Sequence, residues 1–409
     1  MLTPRSLRET NKHFIDEAVQ AAFSLADRHP GTAPAWERLI HHVHQQTDLL
    51  HPRRKCGDLP GNGRCPLVGG LLALALHHAD WLRPVELWTP TGTSAWPQFT
   101  SLAQHLFAKY PIPVFMTSAW FGLPPGEKLI QHEWYKKLGL GVSVRSLDIP
   151  LLLTKTMAHW FLQAPDHYSI LAALRWGQVR GLRGSEELAK VVAATRLSKI
   201  SEQDDFWMTA LRFFARHPTM ELNQVGPIVD FLYHQRFQVQ EVFVRGVIVK
   251  QEPPQPDFSL KGRTLRSLLR LVEEWHKQLG KQTKGLTLAW PRSRIGEFEY
   301  MEGSDHLGNL RRWTITELLN NVELLEEGRR MRHCVATYAE TCAKRQSAIW
   351  SLKIESDDGR KPVLTIEVDL PTKTICQIRG RCNRLPKDHE IAVIRRWMAQ
   401  EGIRMANVV

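Results

Sequence analysis

The stretch LLEEGRRMRHCVATYAETC, residues 324–342, concentrates the residues of this chain that are best suited to chemistry. His333 stands beside Cys334, with Tyr338 four residues on and Cys342 four further, all behind Arg329, Arg330 and Arg332. A cysteine acts as a nucleophile in its thiolate form, which helix N-termini and nearby cations stabilise, so Cys334 in a first helical turn after three arginines is one candidate. Neighbouring side chains diverge on a helix, so His333 is a poor base for Cys334. The alternative is His333 as acid/base against a polar sheet face that carries Glu367, Gln377 and Arg379. A histidine, a carboxylate, an amide and a guanidinium suit phosphodiester chemistry by proton transfer and oxyanion stabilisation. Packing is the competing reading: Cys334, Tyr338 and Cys342 at i, i+4 and i+8 form a slowly drifting ladder on one helix.

The elements that must position these residues are legible downstream. AIWSLKI, PVLTIEVDL and KTICQIRG alternate apolar and polar residues and are separated by DDG and LPTK, which predicts an antiparallel meander with one polar face. PKDHEIAVIRRWMAQEG predicts a helix from about Pro386 to Gly402. Upstream, Thr314 and Glu317 have the T-x-x-E spacing of a capping box, which predicts a helix from there to Gly328. A second helix should then start near His333, with Met331 and Val335 packed on the strand face of Leu364, Ile366 and Val368. The segment TLRSLLRLVEEWHKQLGK is amphipathic, with Leu265, Leu268, Leu269, Val272 and Trp275 on one side.

Residues 1 to about 240 read as helices joined by Pro/Gly turns. Ser185 is an expected N-cap, with Glu186 and Glu187 in the first turn. DDFWMTALRFFARHP is a further amphipathic segment, and Arg-His-Pro occurs at 28–30 and at 216–218, but no solenoid period emerges. Pro253, Pro254 and Pro256 mark a change of composition. The expected organisation is α+β overall, with a mainly α-helical region, 1–250, followed by a smaller α+β domain, 251–409, built on a three-stranded or larger antiparallel sheet.

The C-terminal motif EEGRRMRHCVATYAETC, then IWSLKI, TIEVDLPTKTICQIRGRCN and a helix with Trp397, resembles the PcfJ-like family over roughly residues 314–400. The matched positions are Glu327, Gly328, Met331, His333, Cys334, Val335, Tyr338, Gln377, Arg379, Gly380 and Asn383. The resemblance implies a bacterial, phage or conjugative-element setting and brings no established reaction with it. It does not extend over the preceding helical region.

The chain has 409 residues and a formal charge of +12, with 43% apolar and 23% charged residues. That is globular composition with a basic excess, which favours a polyanion partner, nucleic acid being the commonest. The start lacks an apolar signal core, and LVGGLLALAL is about half of the roughly 20 residues a membrane span needs, so a cytoplasmic protein without a membrane partner is expected. The six cysteines should be free thiols. Cys56 and Cys65 flank a Gly/Pro loop with His51 and His77/His78 nearby, but the spacing is no zinc knuckle, and neither a metal nor a cofactor is expected. The catalytic candidates are His333, Cys334, Gln377 and Arg379. The binding candidates are Arg330, Tyr338, Gly380, Asn383 and Arg384. Two function classes stay open: a nucleic-acid-binding domain with the helical region as scaffold or protein-partner surface, or a hydrolase, most plausibly a nuclease.

Overall fold

Helical periodicity in the first part of the chain becomes α1 (Pro4–Ala26), α2 (Thr32–Gln46), α3 (Pro66–Leu76), α4 (Ala95–Phe107), α5 (Pro125–Gly139) and α6 (Lys155–Leu162) in the computed structural model. Residues 4–50, 66–121, 125–199, 202–244, 247–282, 288–303, 311–333, 335–356 and 359–405 are described. Cys56, Cys65 and Cys334 lie outside them. The chain forms two compact units, Met1–Ala173 and Leu174–Val409. The first packs α3 against α1 and α2. Its aromatic core stacks Trp120 between Phe107, at 4.8 Å, and His132, at 4.4 Å.

The division falls within α7 (Ile170–Gly181). The second unit therefore takes in α8 (Glu186–Ala193), α9 (Asp204–Ala215) and α10 (Val225–Arg236) along with the sheet. The proline-rich change near residue 250 marks a switch of secondary structure and lies inside this unit. Ser185 caps α8 by accepting the Leu188 N–H at 3.0 Å. A hairpin of β1 (Gln240–Val244) and β2 (Val247–Gln251) precedes α11 (Leu265–Gln282).

Six strands follow: β3 (Phe298–Glu302), β4 (Arg311–Leu318), β5 (Ser347–Ser356), β6 (Gly359–Asp369), β7 (Thr374–Gly380) and β8 (Arg404–Met405). They lie in chain order, antiparallel except for the parallel pair β7–β8. Between β4 and β5 run α12 (Asn321–Met331), a 3-10 turn at Val335–Tyr338 and α13 (Ala339–Ala343); α14 (Asp388–Glu401) precedes β8. The fold is α+β, helices first and sheet last.

Period-2 alternation decides what each side of the sheet does. One face presents Trp313, Ile315, Trp350, Leu352, Leu364, Ile366 and Ile378, and α14 covers it with Val393, Ile394 and Trp397. Trp350 and Trp397 meet with ring centroids 4.9 Å apart. The other face presents Ser351, Thr365, Glu367, Gln377 and Arg379, and α12 lies against it.

Three local expectations are corrected. Thr314 and Glu317 belong to strand β4, where Trp313 and Ile315 supply the alternation. The helix starts later, at an Asn320-x-x-Glu323 capping pair: Asn320 Oδ1 accepts the Glu323 N–H at 2.8 Å, and Glu323 Oε2 accepts the Leu319 N–H at 2.7 Å. Gly328 sits inside α12, and the left-handed cap is Arg332, at φ 53°. Val335 does not pack on Leu364, Ile366 and Val368, because α14 already occupies that face; it joins Trp290, Leu318, Leu324, Cys342 and Ile349 on the opposite side.

Candidate functional site

The reversal at Arg332 sends the chain straight down onto the polar face of the sheet. His333 follows with only 6% of its surface exposed, its backbone N–H on the Gly328 carbonyl at 3.2 Å. Its Nε2 lies 2.9 Å from the Thr365 hydroxyl, which donates to Glu327 Oε1 at 2.8 Å. The hydroxyl has one hydrogen. With Glu327 ionised, that hydrogen goes to the carboxylate, so Thr365 accepts from His333 Nε2–H and Nδ1 is the basic nitrogen. When Glu327 takes up a proton the chain of donors can reverse. Burial lowers the His333 pKa to about 4, so the imidazole is neutral at physiological pH. Burial also raises the Glu327 carboxyl, which favours its protonated form.

Strand register brings the remaining side chains beside it. Thr365 faces Arg379 and Glu367 faces Gln377 across β6–β7. The Tyr338 hydroxyl lies 3.1 Å from Glu367 Oε2 and 3.3 Å from Gln377 Oε1, and Ser347 donates to Glu367 Oε1 at 3.2 Å. Arg379 is 8% exposed, donating to the Ile378 carbonyl at 2.7 Å and to the Ala194 carbonyl at the end of α8. Among the described residues it makes no ion pair, although Asp230 and Glu367 are near enough to oppose the loss of charge that burial favours.

The fourth side comes from α10 and from the 3-10 turn Arg196–Lys199 that follows α8. Arg196 Nε donates to Asp230 Oδ1 at 2.8 Å, and its guanidinium lies 4.3 Å from the Tyr233 ring centroid. Arg175, buried on α7, holds this turn by donating to the Leu197 carbonyl at 3.1 Å and pairing with Asp204. Asn383 donates to Asp230 Oδ2 at 3.1 Å. It approaches the helix at Gly226, where a Cβ would come within 2.8 Å of the Asn383 Cβ, so only glycine allows this approach. Asn383 and its neighbour Cys382 are both left-handed, at φ 59° and 57°, an uncommon consecutive pair outside glycine.

His333, Tyr338, Gln377, Arg379 and Asn383 thus line one cleft. Sequence reasoning missed Arg196 and Asp230, which no local motif marks and which lie over a hundred residues upstream of His333. Three binding candidates fall elsewhere. Arg330 is exposed on α12 and paired with Glu326. Arg384 forks onto Glu390 at 2.6 and 2.8 Å, and its side chain covers Gly380, whose N–H donates to the Arg384 carbonyl at 2.9 Å. Both of the latter build the exit of β7. Cys342 is buried and its thiol pKa is pushed up to about 12, so it is no nucleophile; neither it nor Cys376 nor Cys382 is in a disulfide. Among the described residues no group of three or more His, Cys, Asp or Glu side chains has the arrangement of a metal site, and no helix is long and apolar enough to cross a membrane.

No curated protein and no solved structure matches this chain. Residues 312–393, from β4 into α14, match the model of the PcfJ-like protein family; this segment contains the polar residues of the cleft other than Arg196 and Asp230.

Proposed function

We propose that the second unit processes nucleic acid, and that its cleft is a phosphodiester-hydrolysing site in which His333 moves the proton and Arg379 holds the charge. The observation that carries this reading is the convergence on one open cleft of a buried, neutral imidazole and a buried guanidinium that makes no ion pair among the described residues. Structural histidines and arginines are common, but buried groups with perturbed protonation beside a polar cleft are what acid–base sites require.

In this reading a water oxygen attacks phosphorus while Nδ1 of His333 takes its proton. The ester P–O bond breaks, and the departing oxygen takes the proton back from the imidazolium. Thr365 and Glu327 orient the ring and spread the positive charge of the intermediate. Arg379 and the Gln377 amide stabilise the non-bridging oxygens. Tyr338 and Ser347, bonded to Glu367, damp the repulsion between that carboxylate and the phosphate. The Arg196–Asp230–Asn383 cluster braces the opposite wall.

The test is turnover of bis(p-nitrophenyl) phosphate and of labelled single-stranded DNA and RNA, with chelator and with added divalent cations. His333→Asn should lose roughly a hundred-fold or more of the rate with its melting temperature near wild type. Unchanged turnover in that variant removes the reading. A second reading is nucleic-acid binding without catalysis, favoured by the +12 charge and by exposed Arg329 and Arg332. Strand binding that survives His333→Asn in a protein with no turnover supports it. The bacterial or phage mobile-element setting implied by the family, a cytoplasmic location, and a protein partner on the helical region complete the proposal.

A further inference from the structure

A second cavity shares a wall with the cleft. It lies in a groove bounded by α11 and α12, and His333 lines both spaces. The left-handed pair contributes to both as well: Cys382 faces the groove and Asn383 the cleft. His333 is common to both linings, so that a molecule in the groove abuts the proton-moving residue.

The two linings differ in charge. The cleft has Arg196 and Arg379 against Asp230 and Glu367, which balance. Among the described residues lining the groove, Lys277, Arg329 and Arg332 are cationic and Glu273 is anionic, and Glu273 is paired with Lys277 at 2.9 Å. All three cations are exposed along the rim, while Leu269, Val272 and Leu325 supply an apolar floor. The Nε2 of His276, buried and without a hydrogen-bond partner, is a polar atom left over in that lining.

We infer that this groove is the strand-binding part of the same site and takes a single-stranded nucleic acid, backbone on the cationic rim and bases over the apolar floor. A concave channel between two helices suits a single strand, whereas reading duplex requires an element that projects into a groove of the DNA. The identification of the groove as part of a reacting site rests on the cleft reading above; strand binding itself does not.

The experiment is fluorescence anisotropy of the full chain with a fluorescein-labelled oligothymidine strand and with a labelled hairpin duplex, over a salt series. The Arg329→Ala/Arg332→Ala double variant should bind the strand at least ten-fold more weakly. Its slope of log affinity against log salt should be shallower by about 0.7 for each phosphate that is no longer neutralised. Ala336→Trp, which fills the groove without changing its charge, should weaken binding as well. Arg395→Ala/Arg396→Ala, on α14 against the other sheet face, should bind as wild type. Equal affinity in the groove and α14 variants, or a preference for the duplex, overturns the proposal. Bis(p-nitrophenyl) phosphate separates it from the cleft reading. Groove variants that hydrolyse this small diester normally but fail to bind the strand support the proposal. Groove variants that bind the strand normally, in a protein where His333→Asn still abolishes hydrolysis, overturn the groove and spare the cleft.

Discussion

The two faces of the six-stranded sheet are built from the same strands and do opposite work. Under α14, Trp350, Leu364, Ile366 and Trp397 make a dry core whose side chains have nothing to exchange with solvent. Under α12 the intervening residues Thr365, Glu367, Gln377 and Arg379 are also largely covered, yet they are polar, and each one reaches a partner on a different element. Burying polar groups costs free energy unless they are paired, so a covered polar face is maintained only where its hydrogen bonds are supplied from outside the sheet. Here α12, the 3-10 turn and the end of α8 supply them. A chain selected for stability alone would have apolar residues there, which is the physical ground for reading this face as the working one.

The comparison makes its largest prediction on the apolar side. Trp397 is fully buried and its indole N–H donates to the Gly296 carbonyl at 2.9 Å. Trp397→Ala should cost about 4 kcal/mol, measured by urea unfolding, with a midpoint shift and the same slope. The loss should be the same at pH 7 and pH 5, because the indole packs on Trp350 and donates to a backbone carbonyl, neither of which titrates. A strongly pH-dependent loss would mean that the two faces are coupled.

The next prediction is specific to the polar side. The His333 pKa is near 4 when folded and about 6.5 when unfolded, so between these values the unfolded chain binds more protons. Stability must therefore fall as pH drops from 6.5 towards 4, by about 3 kcal/mol from this residue, with no penalty above pH 6.5. His333→Asn should remove that part of the acid sensitivity and flatten the curve. Coincident pH profiles for the two proteins would show that the imidazole protonates freely in the fold, and the neutral base would be lost.

A third, of about 2 kcal/mol, concerns Arg384, whose removal leaves the buried Glu390 carboxylate without its fork. Arg384→Ala should destabilise by that amount near neutral pH and leave the hydrolytic rate of the folded protein unchanged. A rate loss larger than the stability loss explains would restore Arg384 to the site.

What the sequence showed and hid follows the same division. Strand alternation announced both faces, because a period of two is local and needs no knowledge of partners. His333, Gln377, Arg379 and Asn383 were legible as a group once the motif and the polar face were considered together. The side on which α12 lands was not legible, since both faces offered it a surface and only the placement of α14, which comes later in the chain, decides between them. The T-x-x-E spacing at Thr314 fits a cap and a strand equally well; Trp313 and Ile315 carried the correct signal. Arg332 in a left-handed conformation and the contribution of Asp230 from α10 are tertiary facts with no local trace.

The smallest effect is the sharpest discriminator between surface charge and site. Arg330 precedes the αL residue Arg332 by two positions and follows Arg329 directly, so all three would look equivalent to a count of basic residues. Only Arg329 and Arg332 line the groove; Arg330 points elsewhere on α12 and pairs with Glu326 one turn back. An exposed i,i+4 pair contributes about 0.3–0.5 kcal/mol, so Arg330→Ala should change stability by no more than that in chemical denaturation. It should also leave single-strand affinity within about two-fold of wild type at moderate salt, because a lone charge away from the bound backbone acts only through screened, long-range attraction. If Arg330→Ala weakens the strand as much as Arg332→Ala does, the helix binds as a diffuse basic surface. The polar face would then have no privileged channel leading to His333.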